Sequence, residues 1–122
     1  MSIDIYSEII LDHSKNPRNF GKIEKADAKA FDLNPACGDK IEIFLKIKDN
    51  KLSNVKFEGS GCAISQAAAS MLTEDVKGKD LEYIRSLPDD FTVQLLGVKL
   101  SPLRLKCALL SMNVLKAAAR FS

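Results

Sequence analysis

The chain has 122 residues, of which 46% are hydrophobic and 28% are charged, and its formal net charge is +2. These values are typical of one soluble globular domain, so we expect residues 1–122 to form a single domain. The small net charge and scattered lysines argue against a nucleic-acid partner. We expect no membrane span and no signal peptide. The odd number of cysteines, three, favours reduced thiols in a cytoplasmic compartment.

The first part of the chain predicts one helix and three strands. Hydrophobic residues recur at helical spacing over residues 3–14, and Pro17 predicts the end of that helix. Three later segments have strand character, the first weakly and the second by clear alternation; they are residues 28–33, 40–48 and 52–58. A short Asp-Asn-Lys turn joins the last two, which predicts an antiparallel sheet.

After Gly61 the pattern changes to that of helices. Three helices are expected there, the first rich in alanine and ending at Gly78; they span residues 63–77, 80–87 and 91–97. Ser101 and Pro102 are typical of an N-cap and a first helical position, so a long final helix is expected to follow. The order of helix, strands and helices predicts an α+β fold.

Three cysteines lie in segments that favour a thiolate, the form of cysteine that binds metals. Cys37 follows an Asn-Pro turn with exposed amides, and Cys62 follows a Gly-Ser-Gly segment at a helix start, where amides and the helix dipole favour an anion. Cys107 lies on the final helix beside Lys106. Asp39 would add one oxygen ligand. Three soft ligands and one harder ligand predict a metal or cluster that is held less tightly than by four thiolates.

Each of these residues also has a structural interpretation. A free cysteine is most often a small buried hydrophobe, and this applies best to Cys107 on the apolar face of its helix. Asp39 alone is typical of a solvated turn, and Lys106 either compensates thiolate charge or is an ordinary surface lysine. The only histidine, His13, is expected to pack or hydrogen-bond at its helix end rather than to bind a metal. The cysteine spacing lacks the paired pattern of zinc ribbons and supports a site only weakly.

Taken together, these segments resemble the IscU, SufU and NifU-like family of iron–sulfur cluster assembly scaffolds. The resemblance covers nearly the whole chain, including an N-terminal segment that ends in Asn16-Pro17-Arg18-Asn19. It is carried by three cysteine motifs in the family's order, which are Asn34-Pro35-Ala36-Cys37-Gly38-Asp39, Gly59-Ser60-Gly61-Cys62-Ala63-Ile64-Ser65 and Arg104-Leu105-Lys106-Cys107-Ala108.

The resemblance implies a three-stranded antiparallel sheet packed against an N-terminal helix and a C-terminal group of helices, with the thiols at one exposed tip. It implies a ligand set for a [2Fe–2S] cluster, for iron or, as an alternative occupant, for zinc; the ligands are Cys37, Asp39, Cys62 and Cys107. The implied partners are a PLP-dependent cysteine desulfurase and apo iron–sulfur acceptor proteins. An iron donor, a chaperone and a second copy of the chain are further candidates. Either Cys107 or Cys37 is expected to accept the persulfide sulfur.

Two departures from the family patterns leave the activity open. Lys106 stands where IscU-type members have histidine, as in SufU-like members, whereas residues 77–100 are too short for the SufU-type insertion. Residues 100–104 contain one proline instead of the two in the IscU-type chaperone-recognition segment, which puts dependence on a dedicated chaperone in doubt. We expect a scaffold rather than an enzyme. The alternatives are a SufU-like zinc-dependent sulfur relay and a structural zinc module.

Overall fold

A computed structural model describes residues 8–120 and shows a three-stranded antiparallel sheet packed against helices. In chain order the elements are helix α1 (Glu8–Lys15), strands β1 (Ala28–Asn34), β2 (Asp39–Lys48) and β3 (Lys51–Ser60), and helices α2 (Ala63–Val76), α3 (Leu81–Ser86), α4 (Phe91–Leu96) and α5 (Pro102–Arg120). The predicted α+β fold is confirmed. The first part of the predicted N-terminal helix, residues 3–7, falls outside the described residues. Among the described helices, none has the length and apolar character that a membrane span requires.

Strand β2 is the central strand of the sheet, between β1 and β3. A tight turn joins β2 to β3, and its residues Asp49 and Asn50 both have positive φ, 54° and 63°. Such a turn matches the twist of the two strands that it connects. In the β2–β3 register Ile43 pairs with Phe57, and both side chains are fully buried. The alternation that predicted β2 is therefore the alternation between the core side and the outer side of the sheet.

Helices α2 and α5 supply the other side of the main hydrophobic core. Buried side chains from the sheet, including Phe57, pack with Leu72 of α2 and Leu115 of α5. Burying a side chain of this size contributes about 1.5–3 kcal/mol relative to leaving it in water. Several alanines of α2, such as Ala69, are also fully buried, so the helix lies close to its neighbours. This packing fixes α2 and α5 relative to the sheet.

A second, smaller hydrophobic cluster lies where α1, α2, α4 and α5 meet. Its buried members are Ile10, Ile64, Ala67, Ala68, Leu96, Cys107 and Ala108. Cys37 and Cys62 are partly buried and pack against this cluster. The three cysteines are thus positioned by apolar packing as well as by the backbone that carries them.

The start of α5 is capped as the sequence predicted. The Ser101 side-chain oxygen accepts the Arg104 backbone N–H at 3.3 Å, and the Ser101 carbonyl accepts the Leu105 N–H at 2.8 Å. Pro102 is the first residue of the helix, where its missing N–H costs no hydrogen bond. The cap determines where the long helix begins.

His13 connects the end of α1 to α2. Its Nδ1 lies 2.7 Å from the Ser70 hydroxyl oxygen, which also accepts the backbone N–H of Arg18 at 2.9 Å. The prediction of a hydrogen-bonding role for His13 is confirmed. Burial lowers the pKa of His13 below its usual 6.5, and the Arg18 charge adds to this, although Asp12 and Glu74 act in the opposite direction. The folded protein therefore favours the neutral imidazole.

The lowered pKa of His13 predicts that mild acid destabilises the fold. The unfolded chain takes up this proton at a higher pH than the folded chain, so the free energy of unfolding falls as the pH falls from about 7 to about 5.5. We expect His13→Gln, which does not titrate, to lose less stability over this range. Urea unfolding at each pH measures both proteins. Equal losses in the two proteins would contradict the prediction.

Candidate metal centre

The predicted ligands come from different elements that the fold brings to one place. Cys37 lies in the turn between β1 and β2, and Asp39 is the first residue of β2. Cys62 is the N-cap residue of α2, and Cys107 lies on the second turn of α5. Asn34 pairs with Asp39 at the end of the β1–β2 register, so the turn that carries Cys37 lies between these two paired residues. The site therefore depends on the sheet end and on two helix starts.

Three of these side chains form a compact group. Cys37 Sγ lies 3.0 Å from Asp39 Oδ2 and 3.1 Å from Cys107 Sγ. The candidate ligand atoms of these residues all lie within 4.8 Å of one another. The fourth residue, Cys62, places its Sγ 3.7 Å from Asp39 Oδ2. Sulfur-rich donor sets of this kind suit zinc or iron–sulfur clusters, so the residues present fit either occupant.

Asp39 lies at the middle of the group. The residue is fully buried, which is rare for a carboxylate without partners. Its Oδ1 accepts the backbone N–H of Cys62 at 2.9 Å, while Oδ2 accepts from the thiol of Cys37. Burial alone would raise the pKa of Asp39, but hydrogen bonds from Cys37, Cys107 and the Cys62 amide outweigh it and lower the pKa. The carboxylate is therefore ionised at neutral pH.

Cys107 differs from the other two cysteines in its exposure. It is fully buried, whereas Cys37 and Cys62 are partly exposed. The expectation of three thiols at an exposed tip is wrong for Cys107, because the packing of α5 against α1, α2 and α4 places Cys107 inside the smaller hydrophobic cluster. Burial raises the pKa of the Cys107 thiol, and hydrogen bonds to Asp39 and Cys37 raise it further. Cys107 is therefore a neutral thiol in the metal-free protein.

The backbone of the Cys37 turn has a different role from the one that the sequence suggested. The Asn34 carbonyl accepts the amides of Cys37 and Gly38 at 3.3 and 2.9 Å. The Asn34 side chain accepts the Ala36 amide at 3.1 Å. These amides are not available to an anionic sulfur, so that expectation is wrong. Asn34 instead fixes the shape of the turn, a role that the Asn-Pro pair could have indicated.

The helix start at Cys62 keeps its predicted character. The Cys62 backbone is extended, and its carbonyl accepts both the Ser65 hydroxyl and the Gln66 amide at 3.1 Å. No acidic side chain lies in the first turn of α2. The positive end of the helix dipole is therefore directed at Cys62 and at the Asp39 carboxylate bound to its amide.

Lys106 lies at the edge of the group rather than inside it. Its side chain is exposed and lines a surface groove together with Leu33, Pro35 and Leu109. Pro35 belongs to the turn that carries Cys37, so the groove runs beside that cysteine. Charge compensation of a thiolate by Lys106 stays a prediction.

Residues 5–121 match the family model described as the NifU-like N terminal domain. The chain is 40% identical over 114 residues to the iron–sulfur cluster assembly scaffold protein IscU 1 of Archaeoglobus fulgidus, with 93% of this chain and 74% of that protein covered. It is 38% identical over 130 residues to the zinc-dependent sulfurtransferase SufU of Bacillus subtilis, with 92% of this chain and 87% of SufU covered.

Solved structures show the same architecture. A protein from Fervidobacterium islandicum, described as an iron–sulfur cluster assembly scaffold for the SUF system, has a TM-score of 0.80 and 32% identity, and the match covers 98% of this chain and 99% of that one. The N-terminal part of a NifU-like protein from Brucella abortus has a TM-score of 0.80 at 23% identity, with 98% and 96% covered, and shows the shared fold.

Proposed function

Since this chain belongs to the NifU-like N-terminal domain family of iron–sulfur cluster assembly scaffolds, we propose that it builds a [2Fe–2S] cluster and transfers it to acceptor proteins. Iron and the sulfur from a cysteine desulfurase are then its substrates, and the cluster is its cargo. The observation that supports this most strongly is the buried, ionised Asp39 among three thiols. The proposed ligands are Cys37, Asp39, Cys62 and Cys107.

The mixed donor set suits a protein that must release what it binds. A carboxylate is a harder and weaker ligand for iron–sulfide chemistry than a thiolate, so three thiolates and Asp39 hold a cluster less tightly than four thiolates. Loading also requires Cys107 to lose its proton, although burial and its hydrogen bonds raise the pKa of this thiol. The free energy of that deprotonation reduces the net affinity of the site and makes it weaker in acid.

We further propose Cys37 as the first acceptor of sulfur. The residue Cys37 is partly exposed, whereas Cys107 is fully buried, so a desulfurase can approach Cys37 without opening the core. Cys37 loses its proton to solvent, its thiolate attacks the outer sulfur of the desulfurase persulfide, a new S–S bond forms as the S–S bond of that persulfide breaks, and the desulfurase cysteine leaves as a thiolate. Asp39 Oδ2, 3.0 Å away, accepts the hydrogen bond of the Cys37 thiol.

Single cysteine variants test this order of transfer. Each of Cys37→Ser, Cys62→Ser and Cys107→Ser is incubated, metal-free, with desulfurase and cysteine, and intact-mass spectrometry then records an added sulfur atom. We expect Cys62→Ser and Cys107→Ser to carry the sulfur and Cys37→Ser to lack it, because Cys107 is fully buried and Cys37, unlike Cys62, lies in the turn beside the groove lined by Pro35 and Lys106. Retention by Cys37→Ser together with loss in Cys107→Ser would make Cys107 the acceptor.

A zinc-dependent sulfur relay is the second candidate function. Lys106, the zinc-compatible donor set and the 38% identity to SufU favour it. The SufU alignment, however, runs over 130 residues, more than this chain contains, so SufU has residues without a counterpart here. The archaeal scaffold aligns over 114 residues with 93% of this chain and needs almost no gaps. Alignment length does not separate the two functions, because scaffold proteins named IscU in Streptococcus pyogenes and Thermotoga maritima also align over more residues than this chain contains, 135 and 132.

Anaerobic reconstitution distinguishes these functions. The purified chain is mixed with iron, cysteine and a desulfurase, with a reaction lacking the chain as control. We expect a visible-absorbing cluster to form on the protein and to pass to apo-ferredoxin. The reason is that the proposed site holds the cluster with three thiolates and one weaker carboxylate ligand instead of four thiolates. Stimulation of the desulfurase that requires zinc, with no transferable cluster, would support the relay. If neither result is observed, the remaining interpretation is a structural zinc module.

A further inference from the structure

The start of α2 has no space for a side chain at residue 61. An added Cβ at Gly61 would overlap Asp39 Oδ1 and would lie 2.7 Å from Ser65 Oγ. Gly61 also has a φ of +154°, a backbone conformation that residues other than glycine rarely adopt. Asp39 and Ser65 are both fully buried, so neither can move out into solvent. The Asp39 carboxylate therefore occupies the space that a Cβ at residue 61 would need.

The two oxygens of Asp39 have different surroundings. Oδ1 packs against Gly61 and accepts the Cys62 N–H at 2.9 Å. Oδ2 lies 3.0 Å from Cys37 Sγ and 3.7 Å from Cys62 Sγ. Because the Cys62 amide and the Gly61 backbone both contact Oδ1 at the start of α2, they determine the rotation of the carboxylate. One oxygen is committed to the backbone, and the other is directed at the thiols.

We propose that Gly61 and the Cys62 backbone amide are positioning groups that leave Asp39 a single coordinating oxygen, Oδ2. The proposal rests on the proposed function, because it assumes that these residues hold the cargo. A carboxylate that is fixed in this way provides one weak oxygen ligand and cannot chelate with both oxygens. Gly61 thus acts through Asp39 and touches no bound group itself.

A double-mutant cycle with zinc as the probe tests this role. Gly61→Ala, Asp39→Ala and the double variant are prepared anaerobically, and zinc affinity is measured by competition with a chromophoric chelator. Loss of such a supporting group typically weakens metal binding about 10–100-fold, and we expect this for Gly61→Ala. In the Asp39→Ala background the same change is expected to alter the affinity less than about twofold, because its target is gone. The charge-transfer absorption of bound Co²⁺ reports whether the thiolates still coordinate.

Gly78→Ala is the matched control. Gly78 has a φ of +84°, and an added Cβ there meets nothing within 4 Å, so the change introduces backbone strain without touching Asp39. We expect it to lower the urea midpoint and to leave zinc affinity unchanged. Wild-type affinity in Gly61→Ala, or equal losses with and without Asp39, would overturn the proposal. Failure of the wild type to bind zinc, cobalt or a cluster would instead contradict the proposed function.

A second measurement does not depend on the folding of Gly61→Ala. Amide hydrogen exchange at Cys62 is followed by NMR in the metal-free wild type, Asp39→Asn and Asp39→Ala. Asparagine keeps an oxygen that accepts the Cys62 N–H, so we expect slow exchange in the wild type and in Asp39→Asn and faster exchange in Asp39→Ala. Equal exchange in the wild type and Asp39→Ala would show that Asp39 does not hold this amide and would overturn the proposal.

Discussion

The buried carboxylate of Asp39 connects the parts of this protein on which the candidate site depends. Asp39 begins β2, and its Oδ1 is bound to the amide that begins α2. Its Oδ2 meets the thiols, and Cys37 lies two residues before it in the preceding turn. A buried charge is tolerated only when such donors compensate the loss of water. The same contacts that keep Asp39 ionised therefore also determine where the sheet end, the turn and the helix lie.

Cys107 brings the hydrophobic core into the chemistry of the site. Its side chain packs with Ile10 and Leu96 and at the same time touches Cys37 Sγ at 3.1 Å. In the metal-free protein it behaves as a small apolar residue, and as a ligand it must become an anion in an apolar environment. The stability of the fold and the occupancy of the site are therefore coupled through this residue. Under the proposed function, this coupling gives the site a modest affinity, which suits a protein that transfers its cargo.

Much of the fold was predictable because local signals agree with it. Alternation over residues 40–48, the turn at Asp49 and Asn50 and the cap at Ser101 each determine their own element. The candidate ligands were predictable because each lies in a motif of several residues. The burial of Cys107 depends on how α5 rotates against α1 and α4, which no local pattern encodes.

The finer features of the site were not predictable for a related reason. The close approach of Gly61 to Asp39 joins residues that are far apart in sequence, and it exists only once β2 and α2 are packed. In the same way, the sequence of the Cys37 turn predicted exposed amides, but in the folded chain these amides donate hydrogen bonds to Asn34. Glycine and asparagine are common turn residues, so their presence alone predicted the turns and not these contacts.

Zinc K-edge X-ray absorption on the zinc-loaded protein, purified without oxygen, directly measures whether Cys37, Asp39, Cys62 and Cys107 bind one metal ion together. We predict a first shell of about three sulfurs at ~2.3 Å and one oxygen at ~2.0 Å. Asp39→Asn should change the oxygen component and leave the sulfur component in place. A shell with fewer than three sulfurs, or with an imidazole contribution from His13, would show that the three cysteines and Asp39 do not act as one site.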